Sequence, residues 1–338
     1  MGELRRVRLR GRVNEGSALL PVSSPPLLAR LGAASAWWLA HDEAGLGGMV
    51  SIVRPGGERG DEGFELLPVE LRGGPASVTD AEALAAADGR VFVFGSAFFG
   101  PKGTLDRRRS FVARFGEDDV ASDPGSAGFG APADVLDLGT TLVRLVDGAV
   151  ETGDHALLEA HGRVRKRMVR SRKAGADVEA DMAPVNLEGA AFIGDDLVVG
   201  LRWPVDELGR PLLLVIDGAR ELMTSAAWSA DELARRPARL QPVDVDASPK
   251  RPSGCRGLTA RAGALHAITG PTERDLAGRK LRAAPYRHVR FALDAGGTEV
   301  VRTLEGRRRV EGLAAYGDAG WIYVLDDEDA TVLLVDDG

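Results

Sequence analysis

One short pattern recurs along the chain and limits the folds that the chain can adopt. Each copy begins with a short polar stretch, followed by a glutamate or an arginine and then a small residue. A short apolar run, a turn and a second apolar run complete it. The clearest copies begin at Ser77, Pro184, Pro252 and Arg308. A weaker copy begins at Leu27, and in it Trp37 and Trp38 fall in the second apolar run. An internal repeat of this kind indicates one supersecondary unit that is used several times.

Further strand candidates follow each pair of apolar runs. The runs PLLLVID and RLQPVDVD follow the copy at Pro184, and YRHVRFAL and TEVVRTL follow the copy at Pro252. Four strands per unit, repeated at intervals of several tens of residues, are typical of the blades of a β-propeller. We therefore predict an all-β fold, with residues 1–338 forming a single β-propeller domain.

The two ends of the chain complete one blade between them. The last unit stops after its third strand, ATVLLVDDG, whereas the N-terminal stretch LRRVRLRGRV alternates as an edge strand does. We predict that this N-terminal strand closes the last blade, because pairing it there removes an open sheet edge.

The spacing of the units favours five blades, with six as the alternative. The units lie near positions 35, 82, 188, 256 and 311, and the gap from 82 to 188 is too long for one blade. That gap either contains an insertion or conceals a sixth blade. Within it, DHALLEAHGRVRKRMVRSRK has apolar residues close to helical spacing. We predict one inserted helix around 154–173, inside a helical insertion at about 141–180.

Composition removes several classes of protein. A net charge of -7 and a pI of about 5.4 give no overall attraction to nucleic acid or to an anionic membrane. A single cysteine, Cys255, excludes an intrachain disulfide framework, and no Cys/His spacing is typical of a zinc site. The N-terminus lacks the apolar core of a signal peptide, and no apolar run is long enough to span a bilayer. We expect a cytoplasmic protein that does not bind membranes.

The repeat predicts that charged side chains gather at one mouth of a central channel. In a propeller the first strand of each blade lines the channel, and it starts at the face where the second strand ends. Those strand ends carry Asp42, Glu43, Glu82, Ser96, Glu188, Arg202, Arg256, Glu311, Asp326 and Asp327.

Several carboxylates at one place require a counter-charge, because neighbouring negative charges raise the pKa of at least one of them. A hard divalent cation suits carboxylate and amide oxygens, and Ca²⁺ is favoured. The predicted metal ligands are Glu82, Glu188, Glu311 and Asn186, with Asp80 as a further candidate. The predicted binding residues for a small polar ligand are Asp42, Ser96, Arg202, Arg256, Asp326 and Asp327. Alternatively, Arg202 and Arg256 neutralise the glutamates in fixed ion pairs that brace neighbouring blades.

Three stretches resemble a bacterial β-propeller family of unknown function, with the likeness running roughly from Leu27 to Asp336. They are NLEGAAFIGDDLVVGLRWPVDELGRPLLLVID, VFVFGSAFFGPKGTLDRRRSFVARF and RVEGLAAYGDAGWIYVLDDED. More distantly, the pairs Glu188-Gly189 and Glu311-Gly312 look like blade starts in phytase-like esterase propellers and in the gluconolactonase and regucalcin group. In the latter group such a glutamate is a ligand of the catalytic divalent metal, so the resemblance implies a channel metal at Glu188 or Glu311.

The sequence leaves two classes of function open. In the leading hypothesis the channel mouth binds a divalent cation or a small polar ligand, with metal-assisted hydrolysis of lactone, ester or phosphoester type. The alternative is a non-enzymatic scaffold that binds a protein partner through the arginine-rich helix predicted at 154–173. The basic run at 163–173 lacks interleaved aromatic residues, so a solvated helix face is favoured over a nucleic-acid site.

Overall fold

The computed structural model describes most of the chain. The described ranges are 4–9, 15–42, 44–56, 63–75, 77–97, 106–122, 128–153, 156–157, 185–272, 285–293, 297–305, 309–327 and 330–336. For Asp326, Asp327 and Ala330 the description covers the backbone alone. Among the described residues, no helix is both long and apolar enough to cross a membrane.

The described strands form five sheets, which are the blades of a five-bladed β-propeller. Blade 1 contains β2 (Gly16–Pro21), β3 (Trp37–His41), β4 (Val50–Pro55) and β5 (Phe64–Arg72), extended by β10 (Phe129–Pro132) and β9 (Ala121–Ser122). Blade 2 contains β6 (Ala81–Ala87), β7 (Arg90–Gly95), β8 (Phe111–Gly116) and β11 (Asp134–Asp137). Blade 3 contains β12 (Asn186–Ile193), β13 (Asp196–Val205), β14 (Pro211–Ile216) and β15 (Ala238–Pro242).

The remaining two blades are antiparallel four-stranded sheets like blades 2 and 3, whereas in blade 1 the added strand β10 pairs parallel with β5. Blade 4 contains β16 (Ser253–Arg261), β17 (Ala264–Pro271), β18 (Tyr286–Phe291) and β19 (Thr298–Leu304). Blade 5 contains β20 (Val310–Tyr316), β21 (Gly320–Asp327), β22 (Ala330–Asp336) and the N-terminal β1 (Arg5–Arg8). In the described part of the chain, four helices join these strands: α1 (Pro25–Leu31), α2 (Thr141–Thr152), α3 (Ala219–Thr224) and α4 (Ala230–Ala234). Short 3₁₀ helices lie at Leu46–Gly48 and Arg107–Arg109.

The blades close into a ring. Their innermost strands contact one another in the cyclic order β2, β6, β12, β16, β20 and back to β2. β1 pairs with β22, with Arg5 opposite Val335 and Arg8 opposite Val332. The all-β class, the five blades and the closure of the last blade by the N-terminal strand are thus confirmed.

The core lies between adjacent blades, so each sheet is apolar on both faces. All six residues of β14 are buried, as expected for a strand that is covered on both sides. In β3, neighbouring side chains point to opposite faces. Trp37 packs with apolar residues of blade 5, and its Nε1 donates to the carbonyl oxygen of Ala315 at 2.8 Å. Trp38 packs toward blade 2, where its Nε1 donates to Glu117 at 2.7 Å.

The first blade begins earlier than the weak repeat from Leu27 predicts. Leu27 lies in α1, because Pro25 starts the helix and the Oγ of Ser24 accepts a hydrogen bond from the amide of Leu27 at 3.0 Å. The first strand of blade 1 is instead β2, upstream of this helix. The second strand does contain Trp37 and Trp38, as the repeat predicts.

The insertion between blades 2 and 3 begins upstream of the one helix that was predicted around 154–173, with a helix inside the predicted helical insertion at about 141–180. This helix is α2, which packs against the outer strand of blade 3. The helix predicted around 154–173 lies outside the described residues except for Ala156 and Leu157. Leu157 forms a single β-bridge with Asp206.

Candidate functional site

Every innermost strand has a β-bulge near its start. The pairing register shifts between Gly16 and Ala18, Ala81 and Ala83, Leu187 and Gly189, Cys255 and Gly257, and Val310 and Gly312. The unpaired extra residues are Ser17, Glu82, Glu188, Arg256 and Glu311. A bulge of this kind re-aims a side chain at the rim of a sheet. We call these five residues the bulge ring.

The residue after each bulge is glycine or alanine because neighbouring blades approach most closely there. A Cβ atom at Gly257 would lie 2.9 Å from the Glu311 carbonyl oxygen and 2.9 Å from the Gly312 Cα. A Cβ atom at Gly312 would lie 2.9 Å from the Cα of Ala18. This close packing brings the side chains of the bulge ring together around the channel axis.

The bulge ring lines a cavity of about 220 Å³ at the channel mouth. Its described lining consists of Glu15, Gly16, Ser17, Asp42, Glu82, Glu188, Arg202, Arg256, Arg309 and Glu311. Six of these were predicted from the sequence to meet here: Asp42, Glu82, Glu188, Arg202, Arg256 and Glu311. The lining is polar throughout, and its five carboxylates outnumber its three arginines.

A chain of ion pairs crosses blades 3, 4 and 5. Arg202 Nη1 donates to Glu188 Oε1 at 2.6 Å, and Arg256 Nε lies 3.0 Å from Glu188 Oε2. The Nη2 of Arg256 donates to Glu311 Oε1. The side chains of Glu188 and Arg256 are each 2% exposed, so both charges depend on this pairing. Burial raises the pKa of Glu311 to about 7, although the positive charge of Arg256 acts in the opposite direction.

Three acidic residues from blades 1 and 2 form a separate group. One carboxylate oxygen from each of Asp42, Asp80 and Glu82 lies within 4.8 Å of the others. Asp80 is partly neutralised, since Arg109 Nη1 lies 3.0 Å from its Oδ1 and Ser96 Oγ donates to its Oδ2. Glu82 makes no hydrogen bond or ion pair with any residue in the described ranges.

The environment of Glu82 disfavours a negative charge. Removal of its carboxyl group from bulk water raises its pKa well above the usual value, and the negative charges of nearby carboxylates add to the shift. These carboxylates are Glu188, Asp42, Asp80 and Glu311. Glu82 lines the cavity, so a proton or a cation that enters from the mouth can reach it.

Among the described side chains, those of Ser96 and Asn186, which were also predicted as site residues, do not line the cavity. Ser96 is buried behind it, and its carbonyl oxygen accepts from the amide of Leu187 at 2.9 Å. Asn186 is also buried; its Nδ2 lies 3.4 Å from Glu188 Oε1, and its Oδ1 has no partner among the described residues. The backbone of Asp326 and Asp327 pairs with Thr331 and Ala330 at the end of β21. Their side chains, and the whole of Glu43, lie outside the described part of the chain.

Four residues of the described lining were missed from the sequence: Glu15, Gly16, Ser17 and Arg309. The Oγ of Ser17 donates to the carbonyl oxygen of Ala81. Arg309 has a φ of 50°, and its backbone amide donates to Tyr286 Oη at 3.2 Å. A signal for Ser17 was present, because Ala18-Leu19 after it matches Ala83-Leu84 after Glu82 and Gly312-Leu313 after Glu311, a small residue followed by leucine.

No protein-family model matches the sequence, and no curated protein matches it. The resemblance to a propeller family of unknown function therefore stays a prediction. Among solved structures, the chain is similar to MPT-4, a mannose phosphorylase from Leishmania mexicana. The TM-score is 0.44 and the identity is 12%, with 99% of this chain and 88% of that chain covered.

Two further solved structures are β-propellers of other activities. The GH43 endo-arabinanase from Bacillus licheniformis has a TM-score of 0.37 and 9% identity, with 98% of this chain and 96% of that chain covered. A 6-phosphogluconolactonase-like protein from Bacteroides fragilis has a TM-score of 0.40 and 8% identity, with 96% of this chain and 80% of that chain covered. Similarity at these TM-scores carries no inference about the activity of this chain.

Proposed function

We propose that the mouth cavity binds a divalent cation together with a small polar ligand, and that the protein is a metal-assisted hydrolase of an ester or a phosphoester. The observation that supports this proposal is the surplus of carboxylates in the described lining. Because arginines already pair with Glu188 and Glu311, the surplus falls on the side of Glu82.

The cation in this proposal is held by Asp42, Asp80 and Glu82. The four ligands predicted from the sequence all lie at or directly behind the mouth, but Glu188 and Glu311 have arginine partners and Asn186 lies behind the lining. A set of carboxylate oxygens suits a hard cation, and Ca²⁺ is favoured over softer metals. When bound, such an ion polarises a carbonyl or phosphoryl oxygen and lowers the pKa of a coordinated water.

The remaining lining residues have roles in binding and proton transfer. Arg202 and Arg309 line the cavity, where their guanidinium groups would donate hydrogen bonds to oxygen atoms of the polar ligand. Glu311 has a pKa near neutrality, so it can accept a proton from an attacking water or return one to a leaving group. Glu188 is fixed by Arg202 and Arg256 and holds both guanidinium groups in place.

Calorimetric titration with Ca²⁺, Mg²⁺ and Mn²⁺ tests the cation site. We expect saturable binding to the wild type and its loss in Glu82→Gln, because the amide removes the charge and keeps the shape. The matched control is Glu232→Gln, which changes an exposed carboxylate on α4 and leaves binding unchanged. Equal and negligible heats for all three cations in the wild type would contradict the proposal.

Hydrolysis is tested separately with a panel of p-nitrophenyl esters, p-nitrophenyl phosphate and simple lactones. We expect turnover of at least one class to require the cation and to be lost in Glu82→Gln. Cation binding without turnover of any substrate class would contradict the proposed hydrolase activity, while the proposed cation site would stand. The alternative predicted from the sequence, a scaffold that docks through 154–173, rests on a segment outside the described residues.

A further inference from the structure

Four positions of the bulge ring carry a long charged side chain, and the fifth carries a serine. The charged positions are Glu82, Glu188, Arg256 and Glu311 in blades 2 to 5. The equivalent residue of blade 1 is Ser17. Blade 1 lies between blades 5 and 2, because β2 contacts β20 on one side and β6 on the other. Ser17 therefore occupies the place between Glu311 and Glu82.

The cavity lies over the blade with the short side chain. Blade 1 supplies Glu15, Gly16, Ser17 and Asp42 to the described lining, more than any other blade. Blade 4 supplies Arg256, whose long side chain fills its own part of the ring and reaches Glu188 and Glu311 on both sides. The space at the mouth thus follows from the size of the residue at the bulge position.

The bulge residues of blades 4 and 1 differ in charge as well as in size. In blade 4 the bulge residue is a cation that lies between two glutamates and pairs with both. In blade 1 the bulge residue lies between Glu311 and Glu82 but is neutral, and its hydroxyl group donates to the Ala81 carbonyl oxygen. Glu82 consequently receives no counter-charge from the bulge residue of the neighbouring blade 1.

We infer that Ser17 determines ligand binding at the mouth: its small size leaves a place between Glu311 and Glu82, next to Asp42, that a cation takes, equivalent to the place of the Arg256 guanidinium between Glu188 and Glu311. This inference rests on the proposed function, and it adds the residue that creates the site. In a protein with an arginine at position 17, the guanidinium group would occupy this place and balance the negative charge. Such a protein should not bind a metal cation there.

The test is the variant Ser17→Arg, examined by thermal unfolding with and without saturating Ca²⁺. We expect the melting temperature without Ca²⁺ to rise toward that of the Ca²⁺-saturated wild type, and the Ca²⁺-dependent shift to disappear. The control is Ala226→Arg, which adds the same charge at an exposed residue after α3 and keeps the full Ca²⁺-dependent shift. A Ca²⁺-dependent shift in Ser17→Arg equal to that of the wild type would overturn the inference.

A second variant covers the case in which Ser17→Arg does not fold. Ser17→Met fills the same space with an uncharged side chain of similar length, so we expect at least a tenfold loss of Ca²⁺ affinity without the gain in stability. Unchanged Ca²⁺ affinity in Ser17→Met overturns the inference while the cation site of the proposed function stands. Absence of Ca²⁺, Mg²⁺ and Mn²⁺ binding in the wild type overturns both.

Discussion

Arg256 is the single residue whose charge balances most of the buried part of the mouth. It lies between Glu188 and Glu311 with a side chain that is 2% exposed. Burying such a network without ion pairing would cost several kcal/mol per charge, so each member depends on the others. The sequence could identify these residues as neighbours because each stands at the start of a repeated first strand. It could not decide between ion pairs and a metal site, since that choice depends on distances near 3 Å.

Replacement of Arg256 by methionine should destabilise the protein strongly. Methionine keeps much of the side-chain volume but leaves two buried carboxylates without their shared partner, and breaking a buried pair costs about 3–5 kcal/mol. Urea denaturation measures the loss. The matched control is Arg235→Met, which removes an exposed ion pair with Glu232 and should cost about 1 kcal/mol or less. A similar small loss for both variants would show that the buried pairing is not stabilising.

Two buried histidines make stability depend on pH. His266 Nδ1 and His288 Nε2 are 3.0 Å apart, and His288 Nδ1 lies 3.0 Å from Tyr323 Oη. Burial lowers the pKa of His266 to about 4 and that of His288 to about 3, and nearby positive charges add to both shifts. In the unfolded chain both pKa values return to about 6.5. The unfolded state therefore binds more protons than the folded state on acidification.

Stability contributed by these histidines should be present above about pH 6.5 and lost as the pH falls toward 4. His266→Gln removes one titrating group, so its free energy of unfolding should fall between pH 7 and pH 4.5 by about 1–3 kcal/mol less than that of the wild type. Urea denaturation at several pH values measures both slopes. Parallel slopes for wild type and variant would contradict the assignment of a lowered pKa to His266.

The bulged strand start is the element on which the site depends, and its glycines are required by packing. Gly257→Ala should destabilise the protein by about 1–3 kcal/mol, because the added Cβ meets backbone atoms of Glu311 and Gly312 that cannot move independently. The same substitution at Gly148 in α2 meets no atom within 4 Å and should stabilise by about 1 kcal/mol. Chemical denaturation compares the two. Effects of equal sign would refute close blade packing at the bulges.

Strand positions were predictable where the apolar pattern is dense, and less so where a helix interrupts it. The runs PLLLVID, RLQPVDVD, YRHVRFAL and TEVVRTL correspond to β14, β15, β18 and β19. β2 was missed because α1 separates it from β3, so the tight hairpin that marks the other copies is absent. α2 carried a readable signal, since Leu142, Val146 and Ala149 share one buried face.

At the scale of the whole molecule, the ring is held closed by pairing between the two ends of the chain. β1 covers the edge of β22, and the Leu9 amide donates to the Thr331 carbonyl oxygen at 3.1 Å. Deletion of residues 1–9 should lower the melting temperature and promote association, because it exposes an unpaired strand of blade 5. Differential scanning calorimetry and light scattering check both effects. The control is deletion of residues 1–3, which leaves β1 intact; equal behaviour of the two deletions would contradict the closure.

The ring architecture was predictable from the repeat. A closed propeller requires the same four-stranded unit several times and a strand that pairs with the open edge of the last blade. The mouth of the channel was also predicted as the place of the site, and six of its described lining residues were named. The contribution of Glu15, Gly16 and Ser17 was not predicted, because blade 1 was assigned the wrong first strand. The acidic group of Asp42, Asp80 and Glu82 draws on two blades, so its assembly also depends on their relative placement in the ring.

An anomalous-difference map from crystals grown with Mn²⁺ tests the cation site at the channel mouth. We expect a peak within ligand distance of the carboxylates of Glu82 and Asp42, beside Ser17. A map with no peak at the mouth, or with Mn²⁺ bound between Glu188 and Glu311 in place of Arg256, would contradict this expectation.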